Sequence, residues 1–343
     1  MSGSSFSCVV VGAGGISGAW FPPLRAEGVR VAALVDLRPE VAAAQVGKFN
    51  LEGCEVTTDL AAALKKHHPD FVVDLTVPEA HGAVTCAALK AGFHVIGEKP
   101  MAADMATARR MVRAAEKNGR MYMVSQSRRW EARHMLLRQA VAAGRIGKLT
   151  ALNCDFYIGA HFGGFRDAMP SPLLLDMAIH HFDLARLFSG AAPAAVYAHE
   201  FNPHGSWYKG APAASCIFEM NDGSVFTYRG SWCAEGCHTS WNGDWRVIGD
   251  RGTLLCEKDQ LPRGQELVPG DNTPSFHRKM QDLELTPPPE MKTGMHGALL
   301  EMLEFLRTGK TPQTECHDNL HSLAMVFAAI ASAKKRRRLV VNA

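Results

Sequence analysis

Two groups of residues in this 343-residue chain have the types and spacing for chemistry. The first is the stretch "VVGAGGISG" at 10–18. Gly12 permits a tight turn between a β-branched run and a helical one, and Gly14 lets the backbone approach a pyrophosphate. The N-terminus of the following helix would face the phosphates with unbonded N–H groups. Gly15 and Ile16 complete the turn, but position 17, where the dinucleotide pattern has Gly or Ala, holds Ser. An acidic residue about 20 positions further on binds the ribose hydroxyls in such sites. Asp36 ends the next apolar run at that distance. Its charge opposes a 2′-phosphate and favours NAD over NADP, while Arg38 close by leaves NADP open.

The second group is "DMAIHHFD" at 176–183, set in an otherwise apolar helical stretch. Asp176 and His180 are spaced i, i+4 and share a face. Asp183 extends that stripe, and His181 points about 100° away from His180. Burying such groups is costly unless they are paired or used. Three readings stay open at this point: a reacting pair, a satisfied core His–Asp pair, or a metal site. The last lacks a third ligand at a telling spacing and nearby thiolates.

The elements that must position these residues divide into two series. Runs at 6–11, 29–35, 71–77, 93–96 and 121–124 are continuously apolar, as parallel strands covered on both faces are. Helical segments separate them at 39–49, 60–66, 80–91 and 105–117, which gives βαβ units and a doubly wound parallel sheet over 1–125. Ligands bind outside the carboxyl ends of such strands. Thr76, Pro78 and His81 follow one strand end there, and Glu98, Lys99 and Pro100 follow another. From 126 to 343 the rhythm changes. Helices are expected near 130–143 and 173–188, and extended runs at 149–158, 216–220, 224–229, 245–248 and 253–256. Asn221, Asp222 and Gly223 signal a hairpin. This half reads as an open, mostly antiparallel sheet with helices on one face. The Pro-, Gly- and charge-rich 260–293 reads as a surface excursion, followed by helices at 296–308 and 319–333.

Composition excludes several classes. A formal net charge of +3 argues against an anionic polymer partner such as nucleic acid. The basic run 334–338 follows a helical stretch, where cations suit a helix C-terminus. The apolar run 323–333 is shorter than the roughly 20 residues that span a bilayer. Nine cysteines without a CxxC pair fit reduced thiols, hence the cytoplasm.

The segments "VVVGAGGISG", "LVDLRPE", "TVPEAH", "AGFHVIGEKPMA", "SQSRRW", "GRIGKL" and "LLLDMAIHHFDLARLFSG" recur in one order along nearly the whole chain. In this the sequence resembles the glucose–fructose oxidoreductase / inositol dehydrogenase (Gfo/Idh/MocA) family. The resemblance implies a catalytic set of Lys99, Asp176 and His180. In it His180 would take the proton of a secondary alcohol, Lys99 would hydrogen-bond the developing alkoxide, and Asp176 would orient the hydroxyl or support His180. A small carbohydrate or polyol substrate and a homodimer or homotetramer follow from the same resemblance; no metal is expected, for want of a third ligand. The chain departs from the family pattern at 169–175, where a glycine-rich segment is usual, and in the loop 161–166. Arg129, His161, Arg166 and His181, with His238 and Trp241, are the candidate substrate contacts. Two rival functions use the same residues: an NAD-dependent glycosidase working through transient oxidation, and a non-catalytic dinucleotide sensor.

Overall fold

The computed structural model describes residues 6–271, 274–287 and 291–343. The chain forms two compact units, Met1–Ser127 with Lys292–Leu320, and Arg128–Met291 with His321–Ala343.

The first unit is built on six strands: β1 (Ser7–Val11), β2 (Arg30–Val35), β3 (Glu55–Thr57), β4 (Phe71–Asp74), β5 (His94–Glu98) and β6 (Tyr122–Ser125). All pair in parallel, in the order β3-β2-β1-β4-β5-β6. The order reverses between β1 and β4, and a doubly wound sheet binds its ligand at that switch point. Helices α1 (Ser17–Ala26), α2 (Pro39–Phe49), α3 (Leu60–His67), α4 (Pro78–Lys90) and α5 (Met105–Asn118) connect the strands, and α9 (Gly294–Thr308) packs on α1. Local chemistry sets their ends. Asp59 accepts the Ala62 N–H to start α3, and Asp104 accepts that of Thr107 to start α5. Gly119 closes α5 in the left-handed conformation. Pro39 opens α2, where its missing N–H costs nothing.

The second unit carries α6 (Ala132–Ala142), α7 (Phe165–Ala168) and α8 (Ile179–Ser189). Its strands are β7 (Leu149–Tyr157), β8 (Pro193–Phe201), β9 (Ala213–Met220), β10 (Val225–Ser231), β11 (Asp244–Gly249), β12 (Gly252–Cys256), β13 (Arg263–Leu267), β14 (Met280–Asp282) and β15 (Leu339–Val340). They form one sheet in the order β14-β13-β12-β11-β7-β10-β9-β8-β15. Every pair is antiparallel except β7 with β10. Helix α10 (Cys316–Lys335) runs before β15.

Several details differ from the sequence reading. Strands β3, β8 and β15 fall in stretches not read as extended. The surface excursion contains β13 and β14, which extend the sheet from β12. The helix expected over 173–188 is wound as a π-helix at Leu173–Ala178 before α8 begins. Such wide turns gather at functional sites.

Candidate active site

The glycine turn sits at the carboxyl end of β1. Gly12 has φ +99°, and a Cβ there would lie 2.7 Å from the Leu75 carbonyl oxygen, so only glycine fits where β1 and β4 end side by side. A Cβ on Gly14 or Gly15 would meet nothing within 4 Å. The space over them is open, as a backbone cradle for phosphate requires. No side chain caps α1; the Ser17 and Ala19 N–H groups turn back to the Gly14 and Ile16 carbonyls at 3.0 Å, and no such bond is made by the Gly14, Gly15 or Gly18 N–H among the described residues. Ser17, in the place of the third glycine, is fully buried, and its hydroxyl donates to the Gly14 carbonyl at 2.7 Å. The turn absorbs the departure from the usual pattern.

Asp36 folds back on this turn. One carboxylate oxygen accepts the Ala13 N–H at 2.7 Å and the other the Arg38 N–H at 2.9 Å. The Arg38 guanidinium stays 3.9 Å away. A carboxylate has about four acceptor sites, so two remain for ribose hydroxyls. At the end of β4, the buried Asp74 accepts from the Thr76 hydroxyl at 2.6 Å and the Thr85 hydroxyl at 2.8 Å. The buried His81 ring bonds the Thr76 carbonyl at 2.8 Å, just after Pro78 opens α4. At the end of β5, the buried Glu98 accepts the Trp20 indole N–H at 2.9 Å and the Lys99 backbone N–H at 3.2 Å. Burial pushes its carboxyl above the usual range. The Lys99–Pro100 peptide is cis. The sequence-derived cofactor residues and Lys99 thus share one rim, at the carboxyl ends of β1, β2, β4 and β5.

One residue of that rim escaped the sequence reading. Gln126 follows β6, whose Ser125 pairs with Glu98. It is buried, and neither end of its amide bonds a described residue. Its place beside Glu98 makes this amide a candidate ligand contact. Its only signal is its place just after an apolar strand.

In the second unit, Asp176 lies in the π-helical turn and His180 in the first turn of α8. Asp176 accepts the Arg166 Nε–H at 2.7 Å. His180 is buried. His181 is enclosed by Phe156, Tyr228 and Trp245, with centroids 5.0, 5.5 and 6.3 Å away. Burial, then the nearby Arg128 charge, holds its pKa well below the ordinary imidazole value. Arg129 grips Asp183 through Nε and Nη2 at 2.7 and 2.6 Å, both side chains being buried, and Ser322 donates to the same carboxylate at 2.7 Å. His161 stacks on Trp207 at 3.6 Å and bonds Glu235 at 2.7 Å. His238 Nε2 accepts the Gly159 N–H at 3.3 Å, and Trp241 packs 6.1 Å from Phe162. Of the substrate candidates, Arg166 bonds Asp176, and Arg129 and His181 lie in the core.

Among the described residues, Glu315, Cys316 and His317 bring metal-ligating atoms within 4.8 Å of one another. Hydrogen bonds account for that grouping. The imidazole lies between Glu315 at 2.6 Å and Glu116 at 2.9 Å, which raise its pKa, and the Cys316 thiol donates to Glu315 at 2.9 Å. All nine cysteines are free thiols. Among the described residues no helix is long and apolar enough to cross a membrane.

Comparison with known proteins agrees with this geometry. Residues 6–126 match the oxidoreductase family with an NAD-binding Rossmann fold, and residues 134–255 match the GFO/IDH/MocA C-terminal domain. An inositol 2-dehydrogenase of Streptomyces avermitilis is 34% identical over 170 residues, covering 49% of this chain and 48% of that protein. A D-apiose dehydrogenase of Paraburkholderia graminis is 26% identical over 324 residues, covering 91% of this chain and 83% of that one. An Agrobacterium radiobacter oxidoreductase, solved with NAD+, L-tartaric acid and magnesium, shares the fold with a TM-score of 0.86 at 21% identity, over 98% of this chain and 99% of that one. With both of its halves matched, the chain belongs to the Gfo/Idh/MocA family of NAD-binding oxidoreductases.

Proposed function

We propose that this protein is an NAD-dependent dehydrogenase or reductase acting on a hydroxyl or carbonyl of a sugar, sugar acid or polyol. The observation that carries the reading is the rim of the parallel sheet. An open glycine turn is clamped by Asp36, and Lys99 follows two strands away. The turn residues fit a pyrophosphate, and the Asp36 carboxylate fits ribose hydroxyls and opposes a 2′-phosphate. Bound there, the nicotinamide supplies hydride acceptance or donation.

The chain's own residues handle the proton and the charge. His180 takes the proton from the reacting hydroxyl, the task for which an imidazole is suited near neutral pH. Lys99 donates a hydrogen bond to the oxygen as it gains charge. Asp176, fixed by Arg166, orients the hydroxyl. The names of the inositol and apiose dehydrogenases support a carbohydrate or polyol substrate. Free thiols throughout fit a reducing compartment such as the cytoplasm. The exposed face of the second sheet, with Ile217 and Tyr197, is where we expect a second copy to pair.

Lys99→Ala and His180→Ala should each lower turnover by about 10²- to 10⁴-fold, with NAD binding retained in a fluorescence titration. Wild-type-like turnover in both variants sinks the assignment. A spectrophotometric screen of sugars, sugar acids and polyols with NAD and with NADP supplies the substrate and the cofactor preference.

A further inference from the structure

The side chain that holds Asp176 leaves most of its donors unspent. A guanidinium carries five N–H donors. Arg166 uses Nε alone on Asp176, and its terminal nitrogens bond no described residue although the side chain is only 34% exposed. Other arginines of the same unit behave differently. Arg129 on Asp183, Arg229 on Asp155 and Arg338 on Glu219 each engage their carboxylate with Nε and Nη2 together.

Arg166 is also held in place. Its guanidinium lies over the Phe162 ring at 5.0 Å and the Phe165 ring at 4.8 Å. Phe162 rests edge-on against the buried Trp232 at 5.1 Å. Gly163 and Gly164, at φ +69° and +67°, make the turn that puts one ring before the arginine and one beside it. The two ring contacts restrain the guanidinium before a ligand arrives, which lowers the rotamer entropy lost on binding. It also keeps water from two sides of the charge, where an ionic hydrogen bond gains strength.

We propose that the end-on fork of Arg166 receives a carboxylate of the substrate, so that the protein acts on a hydroxy acid of the sugar-acid class rather than on a neutral sugar or polyol. The inference rests on the reading of Asp176 as the residue that orients the reacting hydroxyl. Asp176 and the bound carboxylate then flank a single guanidinium, which places the acid group within one sugar unit of the reacting carbon. The proximity of the Asp176 charge selects a monoanion over a phosphate dianion. Arg166 is accordingly a specificity residue that also positions Asp176.

The test compares wild type, Arg166→Lys and Arg166→Met on aldonates and uronates, the matching neutral aldoses and polyols, and the matching sugar phosphates, with NAD present. Wild type should prefer the acids. Arg166→Lys keeps a cation beside Asp176 but loses the fork. It should lower kcat/KM on the acids about 10- to 100-fold more than on the neutral partners, mainly through KM. Binding is read separately, as the thermal shift given by the preferred acid to the NAD-loaded protein, which Arg166→Met should abolish. Equal losses on acidic and neutral substrates, a preference for the neutral or phosphorylated series, or an undiminished thermal shift in Arg166→Met overturns the proposal. An acid-specific thermal shift that needs Arg166, without NAD-linked turnover of any compound, leaves the carboxylate site standing and removes the redox reading instead.

Discussion

In the first unit β1 is buried on both faces, Val9 and Val10 alike at 0% exposure; in the second, β9 alternates buried and exposed residues, with Phe218 at 0% beside Ile217 at 50%. The first sheet has no face left for a ligand. Its chemistry must stand at the strand ends, where the backbone runs out of partners and short turns present N–H groups. The second sheet keeps one face for its own helices, where α8 and the π-helical turn pack on β7, β9 and β10, and leaves the other to solvent. Its candidate chemistry lies in that helical layer and in the loops beside it. Cross-strand pairs on the outer face, such as Arg229 with Asp155, face water, whereas Asp183 and Arg129 do not.

The largest effect that sharpens this contrast lies in the buried pair. Asp183→Ala should destabilise the protein by about 3–5 kcal/mol in urea denaturation, because it removes the buried carboxylate that Arg129 and Ser322 engage. Asp155→Ala on the open face should cost about 0–1 kcal/mol. Equal losses would mean that the two faces are not distinct environments. Next in size, Gly12→Ala should cost about 1–3 kcal/mol and weaken NAD binding, since the new methyl group would press on the Leu75 carbonyl at a backbone angle that alanine resists.

A smaller, pH-dependent effect belongs to Glu200 on β8. Burial raises its carboxyl pKa to about 7, although Ser171 donates to it at 3.2 Å. A raised carboxyl pKa means the neutral form suits the fold. The stabilisation is complete below the unfolded value of about 4.3 and is lost as pH rises to about 7. Glu200→Gln should therefore melt above wild type at about pH 8, and the gap should narrow steadily and close below about pH 4. A constant gap across that range would refute the titration of this residue. Smallest of all, Ile217→Thr should change chain stability by no more than about 0.5 kcal/mol, as befits a half-exposed position.

The two units also differ in how far the sequence announces them. Buried parallel strands give unbroken apolar runs, so five of the six strands of the first sheet stand out; β3 does not, being three residues long. Helix α2 is bounded by Pro39 and by a left-handed Asn50, signals that composition carries directly. The Asp36 contact with the glycine turn follows from spacing alone, because strand length fixes where the acid ends up. In the second unit β13 and the edge strand β14 hide in a Pro-, Gly- and charge-rich stretch, since strands at the water-facing end of a sheet need no apolar pattern. The Leu173–Ala178 turn has the apolar content of an α-helix, and nothing in it announces the wider winding. The setting of Arg166 depends on two phenylalanines brought round by a glycine pair, a matter of packing with no periodic trace.

That wider winding has a consequence for how the protein could diverge. A π-turn is an α-helix holding one surplus residue. Removing a single residue from 173–178 would restore ordinary winding and re-space the side chains of that turn, Asp176 among them, while α8, with His180 and the core anchor Asp183, kept its seat. One deletion there would thus shift the acid relative to an unmoved imidazole, giving related chains a short route to new substrates on an unchanged scaffold.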